Sequence, residues 1–143
     1  MGRTGNLVGF SRMRPDNRLP SRARTWTATV AAPHADADTI DTLRLLTSEV
    51  ATNAVEHGHA TGIVRVTVLI TAEQRVRVEV FNENPPADGD EHRCPTPRAA
   101  SDDDEDGRGL LLLDALAHSW GHGPGPDGKG TTVWFEIDAK ASA

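Results

Sequence analysis

The chain has a single cysteine, Cys94, so no disulfide can form within it. It also lacks an apolar stretch of the roughly 18 residues that cross a bilayer, and its first residues contain no secretory apolar run. A soluble protein with no membrane association, in a reducing cytoplasmic setting, is the expectation. No internal repeat is visible, and no aromatics interleave with the N-terminal arginines beyond Phe10. The net charge of -6 hides a strong asymmetry, since residues 1–24 carry six arginines against Asp16 alone. That segment sums to +5, and the other 119 residues therefore sum to -11. An acidic body of this kind argues against direct nucleic-acid binding, because a phosphate backbone would be repelled.

What is present suits one domain, for 143 residues can bury a core without covalent staples. Residues 1–20 mix Gly, Arg, Pro and Asn without apolar periodicity and read as a flexible basic leader. A short helix is expected from Ser21 to about Ala32, stopped by Pro33. A longer one is expected from about Thr39 to Glu56, with Asp38 as its cap and Ile40, Leu43, Leu46, Val50 and Ala54 as its inward stripe. Strict alternation over Ile63–Thr71 and again over Gln74–Phe81 predicts two half-buried strands paired as a hairpin. Asn82 to Asp106 offers no period and reads as a long loop, of the kind that is usually functional or disordered. A helix from Gly109 to Trp120, a turn region from Gly121 to Gly130 and a last strand from Thr131 to Ile137 complete the order. Such an order implies a two-layer α+β sandwich, with helices on one face of a mixed or antiparallel sheet.

The run Thr47 to Gly58 carries the first chemical signal, because Glu49 and Asn53 are four residues apart in a helix-compatible stretch. That spacing stacks a carboxylate and an amide on one helix face. Both groups cost free energy when turned inward without partners, and a magnesium ion with nucleotide phosphates supplies such partners. His57 lies one turn further along, where a helix-end cap or dipole partner is the ordinary role. The second signal is Glu105-Asp-Gly107-Arg108-Gly109-Leu110, two glycines and an arginine at the mouth of a helix. Glycines let the backbone approach an anion, and the free N-H groups of a first helical turn favour negative charge.

In order, Glu-x-x-x-Asn, a strand ending in Asn82-Glu-Asn-Pro, Gly107-Arg-Gly-Leu and Gly130-Thr131-Thr-Val-Trp-Phe resemble the motifs of the GHKL ATPases, the superfamily of gyrase B, MutL and the histidine kinases. More closely, Ser48-Glu-Val-Ala-Thr-Asn-Ala-Val-Glu-His57 and Gly107-Arg-Gly-Leu-Leu-Leu-Leu-Asp-Ala-Leu-Ala-His-Ser-Trp-Gly121 are similar to the wording of the small stand-alone anti-sigma-factor serine kinases. The resemblance covers residues 21–138, leaving 139–143 as a tail, and implies the Bergerat-type fold. It implies ATP and Mg2+ as ligands, with Asn53 holding the metal and Glu49 orienting or deprotonating the attacking group. Nucleotide contacts would fall to Asn53, Asn82, Gly107, Arg108, Gly109, Leu110 and Thr131. The implied activity is transfer of the γ-phosphate to a serine of an anti-sigma-factor antagonist, with a sigma factor as a further partner and room for a homodimer.

The chain departs from that family's wording at the base-recognition strand, where an aspartate is usual and Asn82 and Asn84 stand instead. An asparagine can pair with adenine through both its carbonyl and its amide, but it removes a charge and a strictly accepting group. A non-catalytic nucleotide-binding or protein-interaction module with degenerate base recognition is the alternative reading. The acidic run Asp102–Asp106 reads as a solvated loop, with a metal-dependent lid as the other option.

Overall fold

In a computed structural model of the protein, residues 5–57, 62–83, 105–125 and 130–139 are described. The elements are β1 (Gly5–Met13), α1 (Leu19–Ala31), a 3-10 turn (Ala32–His34), α2 (Ala37–His57), β2 (Ile63–Thr71), β3 (Arg75–Glu83), α3 (Glu105–Leu116), β4 (Ser119–Pro124) and β5 (Thr131–Asp138). The five strands form one sheet in the order β1-β2-β3-β5-β4, and every pairing is antiparallel. The expected hairpin is present with Val66 opposite Val80 and Val68 opposite Val78.

The inner face of the sheet is built by period-2 alternation. Val64, Val66, Val68, Val76, Val78 and Val80 are buried in the same cluster as Val133, Phe135 and Ile137. Leu43, Leu46, Val50 and Ala54 of α2, Leu19 and Ala23 of α1 and Leu113 of α3 complete that cluster. Burying each such Val or Leu side chain contributes about 1.5–3 kcal/mol, and together they fix which face the helices cover. Ile40, expected in the stripe, is only partly buried at its edge.

Two strands differ from expectation. The supposed leader contains β1, which pairs with β2 from Gly5 opposite Thr71 to Met13 opposite Val64. A register shift between Leu7 and Gly9 inserts one residue, so the apolar positions Leu7, Val8 and Phe10 do not alternate. The third helix ends at Leu116 rather than Trp120, and Ser119–Pro124 is β4, an edge strand. Glycine is unusual within a strand, but a Cβ on Gly121 would lie 2.9 Å from the Trp134 indole, so the missing side chain lets that ring lie across β4.

The cap of α2 is Asp36, not Asp38, which lies in the first turn. The Thr39 N-H donates to Asp36 Oδ1 at 2.9 Å. That hydrogen bond from the Thr39 N-H holds the Asp36 carboxyl below the ordinary carboxylate range. A lowered folded-state value means that the ionised cap stabilises the fold above the unfolded pKa and loses this effect as pH falls through the folded one. Asp36→Ala is therefore expected to lower Tm at neutral pH, with the gap to wild type closing in acid, and Asp36→Asn to retain most of the cap. Thermal melts across pH measure this, and a gap independent of pH would remove the charge from the account.

Candidate nucleotide site

One end of the helical layer gathers the polar residues. At the start of α2 the Thr39 hydroxyl donates to the Asp138 carbonyl at 3.2 Å, which pins that helix end to the last residue of β5. From Thr39 to Asn53 a helix rises about 21 Å at 1.5 Å per residue. From Asp138 back to Thr131 a strand covers about 23 Å. Helix α2 lies on the sheet and touches β5, and a helix that follows β5 from this pin would reach the end where β5 begins at about Asn53.

At that end Asn82 of β3 stands opposite both Val64 and Thr131. Paired residues share a face, and Val64 is part of the buried cluster, so Asn82 and Thr131 belong to the helix-covered side. Asn53 is 5% and Asn82 9% exposed. Among the described residues neither side chain makes a hydrogen bond. Two amides on largely buried positions of the helix-covered side are groups that a polar ligand could satisfy. Glu49 is half-buried one turn before Asn53. Beside it, Arg24 of α1 donates to the Ser48 hydroxyl at 3.1 Å, and Thr52 donates to the Ser48 carbonyl at 2.8 Å. The Arg24 contact ties the Glu49 turn to α1.

Gly130 completes the corner. Its φ is +71°, and a Cβ there would lie within contact distance of the Asn82 carbonyl oxygen, closer than any real Cβ approaches an oxygen. Only glycine lets the β5 entry close against the end of β3. A glycine directly before a strand was the available sequence signal.

Gly107, Arg108, Gly109 and Leu110 were expected just before a helix. Their backbone instead belongs to the first two turns of α3, which begins at Glu105. The four unpaired N-H groups are thus those of Glu105 to Arg108, and Gly109 is already inside the helical ladder. Helix α3 packs beside α2. The side chains of residues 105–110 and of His57, together with Asn84, Cys94 and Asp102 to Asp104, lie outside the described residues.

The donor set suits magnesium. That ion prefers hard oxygens and takes only one or two protein ligands when phosphates supply the rest, and the Asn53 amide oxygen is such a ligand. Among the described residues no cluster of three or more His, Cys, Asp or Glu is present.

A five-stranded antiparallel sheet with helices on one face, matched by the family pattern, defines an ATPase domain of the GHKL superfamily. The chain belongs to the histidine kinase-like ATPase domain family, whose pattern matches residues 13–137. Among solved structures it is similar to the blue-light activated histidine kinase of Erythrobacter litoralis EL346, with 26% identity, a TM-score of 0.55, and coverage of 73% of this chain and 32% of that one. The chain thus spans about a third of that kinase's length. The catalytic domain of histidine kinase ThkA, in nucleotide-free form, shares the fold at 17% identity and a TM-score of 0.54, over 94% of this chain and 99% of that one. No curated protein gives a significant match. Family membership makes this an ATP-binding domain. No described helix is long and apolar enough to cross a membrane.

Proposed function

We propose that this chain is a regulatory protein serine kinase of the anti-sigma-factor type, which transfers the γ-phosphoryl group of ATP to a serine hydroxyl of an anti-sigma-factor antagonist and also contacts a sigma factor. The observation that carries this reading is the buried Asn53 one turn from the half-buried Glu49 on α2, with Asn82 and Thr131 paired on the face of the sheet that the helices cover.

Asn53 would hold magnesium, which when bound supplies charge neutralisation on the phosphates. Asn82 would pair with the base through its amide, with Thr131 beside it. Gly107, Arg108, Gly109 and Leu110 would line the phosphates from the start of α3. Glu49 takes the proton of the attacking serine hydroxyl as its oxygen bonds to the γ-phosphorus. The bond from that phosphorus to the β,γ-bridging oxygen breaks, and ADP leaves. Asn82 in place of an acid favours one second reading, a nucleotide-binding interaction module without transfer activity.

Calorimetric titration with ATP and GTP, with and without magnesium, tests the common basis of both readings. Magnesium-dependent ATP binding is the expected result. Binding of neither nucleotide up to about 1 mM would overturn the assignment.

A further inference from the structure

Asn82 stands near the end of β3, between Val64 of β2 and Thr131 of β5. Strand pairing on both sides holds its backbone, and Gly130, at φ +71°, lies so close to its carbonyl oxygen that no Cβ would fit there. The main chain of Asn82 therefore has little freedom. The last torsion of an asparagine side chain, by contrast, is broad and roughly two-fold. Turning it over exchanges the carbonyl oxygen and the NH2 group with almost no change of shape.

The neighbours on this face do not fix which way the amide turns. On the adjacent inward positions of β2, β3 and β5 stand Val64, Val66, Val80 and Val133, all buried and apolar, and Thr131. A hydroxyl both donates and accepts, so Thr131 suits either sense as well. Among the described residues of these strands, the corner thus holds two hydrogen-bonding side chains, and neither has a fixed polarity. Asn82 is 9% exposed, so water does little to repair a mismatch, and a group of fixed sense here would discriminate sharply. Purines differ at C6, where adenine carries an amino group that donates and guanine a carbonyl that accepts. A carboxylate set against C6 accepts from the first and repels the second. An amide accepts from adenine through Oδ1 or, turned over, donates to guanine through Nδ2. Its other atom then meets N1, which accepts in adenine and carries a proton in guanine.

We propose that the site takes adenine and guanine nucleoside triphosphates alike, because the Asn82 amide turns to suit the group at C6. This dual specificity rests on the nucleotide reading of the site and extends it to guanine nucleotides.

Calorimetry of the full chain with the magnesium complexes of ATP, GTP and ITP is the test, ITP having the guanine carbonyl without the amino group at C2. For the wild-type chain the three dissociation constants are expected within about tenfold of one another, and Asn82→Asp is expected to raise the preference for ATP over both GTP and ITP at least about tenfold. In the wild-type chain the NMR signal of the Asn82 side-chain amide is expected to shift with ATP and with GTP alike, a readout that does not depend on how the variant folds. A wild-type preference for either base above about tenfold would overturn the proposal, and so would a smaller rise in Asn82→Asp. An Asn82 amide signal that stays in place with either nucleotide would overturn it too. Binding of ATP with GTP and ITP excluded would do so while leaving the nucleotide reading intact, whereas binding of none of the three would remove both.

Discussion

Asn53→Ala is expected to abolish magnesium-dependent ATP binding, while Glu49→Ala retains binding and loses phosphoryl transfer. The two residues are on one face of α2, a single turn apart, yet the proposed chemistry separates them. An amide oxygen that helps to hold magnesium contributes to ground-state affinity. A carboxylate that receives a proton during transfer acts chiefly on the barrier, typically by about 10²–10⁴-fold in rate. Calorimetry therefore reads one variant, and transfer of labelled γ-phosphate to a serine-bearing antagonist protein reads the other. Asn53 is buried, so its replacement could act through stability alone. Asn53→Asp preserves volume and one oxygen, and thermal melts of both variants separate loss of fold from loss of ligand. Normal transfer by Glu49→Ala would sink the assignment of the proton acceptor, and intact magnesium dependence in Asn53→Ala would sink that of the metal ligand.

The Glu49 and Asn53 pair was readable because helical spacing is local. Four residues place two side chains on one face wherever the helix goes. The β2–β3 hairpin was equally plain, since Val64 to Val80 alternate without interruption on either side of a short turn. What stayed hidden was non-local or locally disguised. The shift between Leu7 and Gly9 erases the alternation that would have revealed β1. In β4, two glycines depress strand propensity, and Trp120 continues the apparent helical rhythm of the leucines before it. The chain leaves α3 at Ala117, where the next N-H, that of His118, donates to the Glu136 carbonyl at 2.7 Å and enters the sheet. No helical pattern anticipates a bond to a residue 18 positions away. For the same reason the meeting of Asn82 with Thr131 was not legible from either segment. It depends on β5 returning beside β3 after α3 and β4, and only the register of that pair puts the two side chains together.

Arg77→Leu is expected to cost about 3 kcal/mol, the lower end of the loss when one member of a buried ionic group is removed. For a chain of this length, that corresponds to a fall in Tm of about 10 °C. Arg77 is 19% exposed, and Glu79 and Glu136 are each 15% exposed, so the three charges are largely withdrawn from water in the middle of the sheet. The guanidinium also lies 4.0 Å from the centroid of the Trp134 ring. Leucine would replace these contacts with none, and it would leave two largely desolvated carboxylates on adjoining strands without the cation between them. The intact group need not be strongly stabilising for its disruption to be severe, because its desolvation cost offsets much of its attraction. A triple variant with leucine at positions 77, 79 and 136 is therefore expected to regain most of the lost stability. Chemical denaturation of the single and triple variants distinguishes the cases. If Arg77→Leu unfolds at the wild-type midpoint, the ion group contributes nothing, and packing of Trp134 across Gly121 must hold this part of the sheet by itself.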